Sequence, residues 1–196
     1  MDSSPSRKEI THERIVATAA RAIRRGGFQG VGVADIMKEA GLTHGGFYAH
    51  FSSRNALLAE ALERAGQDSA RRVIQTVTTR RARGASALRA LVEGYLSDRH
   101  LAELEAGCPV AALASEMPRQ APEVREASAQ RVRGLVAAVR CALPEDAAAD
   151  SSPAIAAQLV GALQLARALG DNTEGRALLK ASRRALLAQY DRHPTA

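Results

Sequence analysis

Apolar residues along this chain recur at helical spacing. Ile15, Ala19, Ala22 and Ile23 fall on one face of a segment that predicts a first helix from about Glu9 to Arg25, stopped by Gly26-Gly27. Val33, Ile36, Met37 and Ala40 form the stripe of a second, short helix that Gly41 stops. Thr43 stands where it can cap a third, whose apolar residues are Phe47, Tyr48 and Phe51. Ser52 or Ser53 then caps a long helix with the stripe Leu57, Leu58, Ala61, Leu62 and Ala65, running to about Thr78. Further helices are predicted over about Ser86–Asp98, Pro122–Leu143, Pro153–Leu169 and Thr173–Tyr190, with a segment broken by Pro109 and Pro118 between the first two of these.

Proline placement supports the same reading. None occurs between Pro5 and Pro109, so about a hundred residues are free of the strongest helix breaker. No stretch alternates with period two for long enough to predict a strand. The fold class expected is all-α.

Composition narrows the function. The 196 residues are 46% hydrophobic and 24% charged, as in a packed domain rather than a disordered chain. No apolar run reaches the roughly 20 residues that cross a bilayer, and the first ten residues lack an apolar signal core. Both absences make the cytoplasm the expected compartment and a membrane an unexpected partner. Two cysteines, Cys108 and Cys141, exclude a disulfide framework and a four-cysteine zinc site. Aromatics are 3%, so a ligand pocket is expected to be lined mostly by aliphatic side chains. The net charge of +6 favours an anionic partner without locating it.

The chemistry concentrates around Gly41. Two short helices meeting at a glycine make a helix-turn-helix candidate. The second carries the donors and acceptors Thr43, His44, Tyr48 and His50, and two glycines, Gly45 and Gly46. Each interior glycine costs a helix about 1 kcal/mol against alanine, and close approach to another surface would explain both. The stretch Gly41-Leu-Thr-His-Gly-Gly-Phe-Tyr-Ala-His-Phe51 resembles the DNA-binding domain of TetR-type transcriptional regulators, as do Gly27-Phe28, Ile36, Ala40, Ser53-Arg54 and Leu57 around it.

The resemblance implies a helix-turn-helix DNA-binding domain over residues 9–52, after a disordered arm at 1–8. It implies a helical ligand-binding and dimerisation domain over 53–196. Thr43, His44 and Gly45 then sit where the recognition helix enters the major groove, and Tyr48 and His50 where backbone and flanking bases are touched. Arg54 stands where the family usually has lysine, beside a phosphate. Gly32 replaces the usual serine or threonine cap and leaves a bare N–H for a phosphate. The implied partners are a double-stranded operator, a second copy of the chain and a small-molecule effector.

For the effector half, the positional candidates are Tyr95, Leu101, Cys108, Leu113, Met117, Val136 and Leu163. Cys108 lies in a Gly-Cys segment. Some family members place a reactive cysteine in a similar segment, which implies an oxidant or electrophile as effector if the effector is not simply apolar. The more ordinary role for Cys108 is that of a small buried hydrophobe. The helix from Pro153 to Leu169 is apolar on more than one face. With the last helix it offers Ala156, Leu159, Val160, Leu163, Leu178, Ala181 and Leu186 for a dimer interface.

No phosphate-cradling glycine motif with lysine and no Gly-x-Ser-x-Gly occurs, so an enzyme is not expected. His44 and His50 lie about 120° apart on a helix and make a poor metal pair. His100 and Glu103 form a single i, i+3 pair, too common to mark a metal site. No metal or cofactor is expected. Two rival readings stand beside the regulator: a helical interaction module, and a thiol-reactive protein built on Cys108.

Overall fold

The computed structural model describes residues 5–191. Among them are nine α-helices and no strand: α1 (Arg7–Gly26), α2 (Val33–Glu39), α3 (Arg54–Arg81), α4 (Ala87–Tyr95), α5 (Asp98–Ala102), α6 (Pro109–Leu113), α7 (Pro122–Ala142), α8 (Ser151–Leu169) and α9 (Thr173–Tyr190). Two 3-10 segments, His44–Ala49 and Met117–Arg119, complete the order.

The expected arm over 1–8 gives way to structure at its C-terminal end. Ser6 caps α1, its hydroxyl accepting from the Glu9 N–H at 3.2 Å while the Glu9 carboxylate accepts from the Ser6 N–H at 2.6 Å. This reciprocal pair satisfies two of the orphan donors of a helix start, so the helix begins at Arg7. Met1–Ser4 lie outside the described residues. Of the two candidate caps for α3, Ser53 takes the role, accepting from the Ala56 N–H at 3.0 Å. The element after Gly41 also differs from expectation. It winds as a 3-10 helix rather than an α-helix, and Thr43 makes no side-chain cap. Without a cap, and with two glycines in its first turn, the segment lacks what would hold an α-helical start.

The 28-residue α3 is the spine. It packs against α1 near its start and against α4, α6 and α7 further along, while α8 and α9 pair with each other and lean on α7 and α4. One continuous apolar cluster joins both ends of the molecule, from Ile15 to Leu186. Phe28, Phe47, Ile36, Met37, Leu57 and Leu58 are wholly buried beneath the helix-turn-helix. Gly41 makes the tight turn between its helices, at φ +70°.

The link between α1 and α2 tolerates no side chain at Gly30. A Cβ there would lie 2.2 Å from the Gly26 carbonyl oxygen, which is backbone and cannot swing aside. Gly30→Ala is expected to cost about 1–3 kcal/mol, read as a lowered urea midpoint. An unchanged midpoint would show that this turn can relax.

Candidate functional site

Two regions carry the chemistry. The first is the face around His44–Ala49. Phe47 and Phe51 anchor it, wholly or nearly buried with their rings 5.5 Å apart. Thr43, His44 and Gly45 are exposed, and Tyr48 is 73% exposed with its ring edge-on to Phe47. A Cβ at Gly45 would meet nothing within 4 Å, and one at Gly46 only ordinary contacts with Met37 and Thr43. The fold itself therefore demands neither glycine.

His50 is half-buried at the end of this segment, and its Nδ1 has no hydrogen-bond partner. Burial first, then the neighbouring His12 and Lys8, hold its pKa below the ordinary histidine value. His12 belongs to α1 and stacks on Phe51 with ring centroids 4.5 Å apart, its Nε2 2.6 Å from a Glu60 carboxylate oxygen. Spacing along the chain gives no hint of this pairing, because α1 and the 3-10 segment meet only in the folded molecule. Gly32 precedes α2, but the Asp35 carboxylate lies against that helix start, 2.9 Å from where a Gly32 Cβ would sit. A phosphate approaching Gly32 would face this negative charge. Arg54 is half-buried and donates from one nitrogen to the carbonyls of Phe28 and Val31, the latter at 3.2 Å. It ties α3 to the α1–α2 turn, whatever its other N–H groups meet.

The second region is a cavity of about 480 Å³ between α3, α4 and the segment after α4. Of the seven pocket candidates, Tyr95 and Cys108 line it. Leu101, Leu113, Met117 and Leu163 instead fill the core, and Val136 packs against the core from α7. The lining is not mainly aliphatic either, since Arg72, Thr76, Arg80, Arg99, His100 and Glu103 contribute to it. The α3 stretch that forms one wall is polar, and α5 with its following loop supplies charged residues opposite.

The inner end of the cavity is rigidly wired. His100 Nε2 accepts from the Cys108 N–H at 3.0 Å, so Nδ1 carries the proton and donates to the Tyr95 carbonyl at 2.7 Å. Burial pushes the His100 pKa down to about 4, with Arg167 and Arg72 adding to the push and the Tyr95 carbonyl opposing it. Arg167 donates to the His100 carbonyl at 2.8 Å. The Tyr95 hydroxyl is buried without a hydrogen-bond partner, and burial followed by the adjacent Cys108 raises its pKa well above the ordinary value.

The wall that holds Cys108 also grips the first helix. Arg24 of α1 donates to the Gly107 carbonyl at 3.3 Å, and Arg25 meets Glu105 at 2.6 Å. Glu116 accepts from the Phe28 N–H at 2.9 Å. Three contacts thus connect the stretch 105–116 with the end of α1 and its turn. Neither Arg24 nor Glu116 stood out in the sequence, where each is one charge among many. Among the described residues no cluster of three or more metal-ligating side chains occurs, and no helix is long and apolar enough to cross a membrane.

The proposed interface residues divide by depth. Ala156, Leu159, Leu163 and Leu186 are buried within a single chain and serve its interior. Val160 and Leu178 pack partly against that core, and only Ala181 is exposed. The outward face of α8 carries Ala157, Leu165, Ala168 and Leu169 instead, with Leu165 60% exposed.

Comparison with known proteins adds a family to this geometry. Residues 15–61 match the family described as bacterial regulatory proteins, tetR family, and residues 84–182 match the tetracyclin repressor-like C-terminal domain. An uncharacterized HTH-type transcriptional regulator of Mycobacterium tuberculosis is 30% identical over 188 residues, covering 90% of this chain and 94% of its own. The uncharacterized HTH-type regulator YerO of Bacillus subtilis is 41% identical over 51 residues, covering 26% of this chain and 18% of its own. Among solved structures, the reduced form of Escherichia coli NemR superposes with a TM-score of 0.73 at 20% identity, over 90% of this chain and 95% of its own. A TetR transcriptional regulator of Chloroflexus aurantiacus superposes with a TM-score of 0.71 at 22% identity, over 93% and 96%.

Proposed function

We propose, for a chain that belongs to the TetR family of bacterial transcriptional regulators, that it acts as a homodimeric repressor of a palindromic operator and lets go of the DNA when a small molecule enters the cavity beside Tyr95 and Cys108. The family and the relatives found are transcriptional regulators, not enzymes, and regulators of this family bind operators and small-molecule effectors and dimerise. The dimer, the effector response and the residues in contact are this chain's own case, argued as follows.

One observation carries the reading. Residues 106–108 wall the cavity, and the stretch they belong to, 105–116, holds the end of α1 and its turn through contacts with Arg24, Arg25 and Phe28. A ligand that prefers one arrangement of that stretch shifts the placement of the helix-turn-helix by its differential affinity, and by no more. Two such domains in a dimer meet major grooves about 34–36 Å apart or a multiple of that, so ligand-driven misalignment weakens both half-sites together. Cys108 fits this scheme without chemistry of its own, as part of the wall.

The DNA face is Thr43, His44, Gly45, Tyr48 and His50, with Arg54 bracing the turn behind it. Gly45 separates fold from function. A methyl there points into open space, so Gly45→Ala should leave the melting temperature unchanged or raise it, helix propensity favouring alanine by up to about 1 kcal/mol. The same variant should bind operator about tenfold more weakly if the DNA backbone passes close. Equal affinity would remove Gly45 from the contact surface.

The dimer is expected through the outward faces of α8 and α9. Leu165→Arg places a charge on the most exposed leucine of that surface. Sedimentation should then show monomers for the variant and dimers for the unaltered chain, with the helical signal retained in both. Persistence of the dimer would place the interface elsewhere. The function is tested by selecting duplexes from a random pool and titrating the winner at several salt concentrations. A palindromic winner bound by a dimer supports the proposal. Weak binding to all sequences, lost in modest salt, would mean that charge alone is at work.

A further inference from the structure

We infer that a second cleft, at the joint between α1, α3 and the loop after α5, is a subsite for a small organic anion, the acidic head of a ligand whose apolar body extends into the Tyr95–Cys108 cavity. That this ligand is an effector rests on the regulator reading above; the anion subsite does not.

The cleft has a volume of about 420 Å³ and is lined by Arg21, Arg24, Arg64, Arg71 and Arg72. Its carboxylates are Asp68 and Glu105. Both are engaged: Glu105 meets Arg25 at 2.6 Å, and one Asp68 oxygen accepts from Arg71 at 2.6 Å and from Arg64 at 3.1 Å. The other Asp68 oxygen lies 3.6 Å from Arg24 Nη2, beyond hydrogen-bond reach. Glu103 and Glu13, which take Arg72 and the far end of Arg64, stand outside the cleft's lining.

Arg24 is the decisive group. Its side chain is only 2% exposed. Its other contacts are backbone carbonyls, Ala20 at 2.8 Å and Gly107 at 3.3 Å. A buried guanidinium ordinarily requires a hydrogen-bonded anion. Here the nearest carboxylate, Asp68, hydrogen-bonds Arg64 and Arg71 and reaches Arg24 only as an ion pair at 3.6 Å, Arg21 looks away to Glu39 at 4.0 Å, and open space lies alongside. Burial depresses the pKa of Arg24, the Asp68 carboxylate opposes that shift, and nearby Arg72 and Arg21 add to it.

The two spaces adjoin, since Arg72, Gln75 and Ala106 line both. Beyond that shared boundary the larger cavity offers Val73, Ala90 and Leu91 as apolar wall and the unpaired Tyr95 hydroxyl at depth. An acidic head with a short apolar tail matches this sequence of surroundings. The shared chemistry is that of a carboxylate or a phosphate monoester, both of which guanidinium groups bind bidentately. A head that draws Arg24 away from the Gly107 carbonyl would loosen one of the three contacts holding α1.

The test uses the full chain and simple probes: hexanoate, hexyl phosphate, hexanol and inorganic phosphate at constant ionic strength. At about 100 times its dissociation constant, one of the two acids should raise the melting temperature by about 5 °C. Hexanol and inorganic phosphate should not. Which acid succeeds tells a carboxylate from a phosphate ligand. The double variant Arg71→Gln, Arg72→Gln alters two exposed side chains that the core does not use, and should weaken the response at least about tenfold. A shift preserved in that variant, or equal shifts with hexanol and the acids, overturns the subsite. An equal shift with inorganic phosphate overturns the claim that the two spaces form one site. The same titration with operator DNA present separates the two proposals. Stabilisation without DNA release overturns the effector role alone, whereas release without stabilisation overturns the anion subsite and leaves the regulator standing.

Discussion

His44→Ala should weaken operator binding by about 2–4 kcal/mol, roughly 30- to 1,000-fold, at fixed salt. A bidentate base contact is worth about 1–3 kcal/mol, the single bond of an imidazole falls at the lower end, about 1–2 kcal/mol, and the proposed two-fold dimer presents His44 twice, so a single substitution is felt in both half-sites. Because His44 is exposed, the melting temperature should not move. The measurement is a fluorescence anisotropy titration against the selected operator and a shuffled duplex of equal length. The loss should fall on the operator alone, because base contacts discriminate while phosphate contacts weaken all sequences together. An equal loss on both duplexes would reassign His44 to the backbone, and no loss would remove it from the interface.

Acid should destabilise the fold through His100. Its ring is wired as a neutral acceptor and donor between Cys108 and Tyr95, and its pKa is held at about 4 against an ordinary 6.5. Above pH 6.5 the ring is neutral in the folded and unfolded chain alike, and the stabilising wiring is complete. As pH falls from 6.5 toward 4, the unfolded chain takes up a proton that the folded chain refuses. The cost over that window is on the order of 3 kcal/mol. Urea unfolding followed at steps across the window should show the loss in the natural chain and a flatter profile in His100→Gln. Equal slopes would show that other groups govern the acid response. Glu103 and Glu126, held below the ordinary carboxylate range by Arg99 and Arg133, lose their stabilising charge as pH falls further.

The longer helices were legible in the sequence because their stripes and stops are local, whereas the five-residue α5 and α6 are too short to carry a stripe and fell within a helix end and a broken segment. Gly41, the stripe from Val33 to Ala40 and the aromatic pair Phe47 and Phe51 suffice to place the helix-turn-helix. The earlier start of α1 was also written there, since Ser6-Arg-Lys-Glu9 has the spacing of a capping box. The 3-10 winding of the next element was less visible, because it depends on a cap that Thr43 does not make. The interface and cavity residues were harder for a physical reason. A helix apolar around most of its girth, such as α8, does not reveal which face its own chain covers, so Leu159 and Leu163 look the same in sequence whether they meet a partner or the core. The cavity, likewise, is defined by contacts between distant segments. Arg24 reaches Gly107 across 83 positions, and Arg167 reaches His100 across 67. Periodicity carries no record of such meetings, and it favoured aliphatic candidates where the fold placed charged ones.

The unbroken length of α3 has a mechanical consequence. Between Arg54, beside the helix-turn-helix, and Arg72, at the boundary of the two clefts, the helix spans about 27 Å without a proline or a kink-forming pair. A rod of that length converts a tilt of about 5° at one end into a displacement of about 2 Å at the other. That is enough to spoil a hydrogen bond to a base edge, whose useful range is a few tenths of an ångström. In the proposed regulator a ligand would need only to lean on one end of such a lever, with no residue in between changing its neighbours.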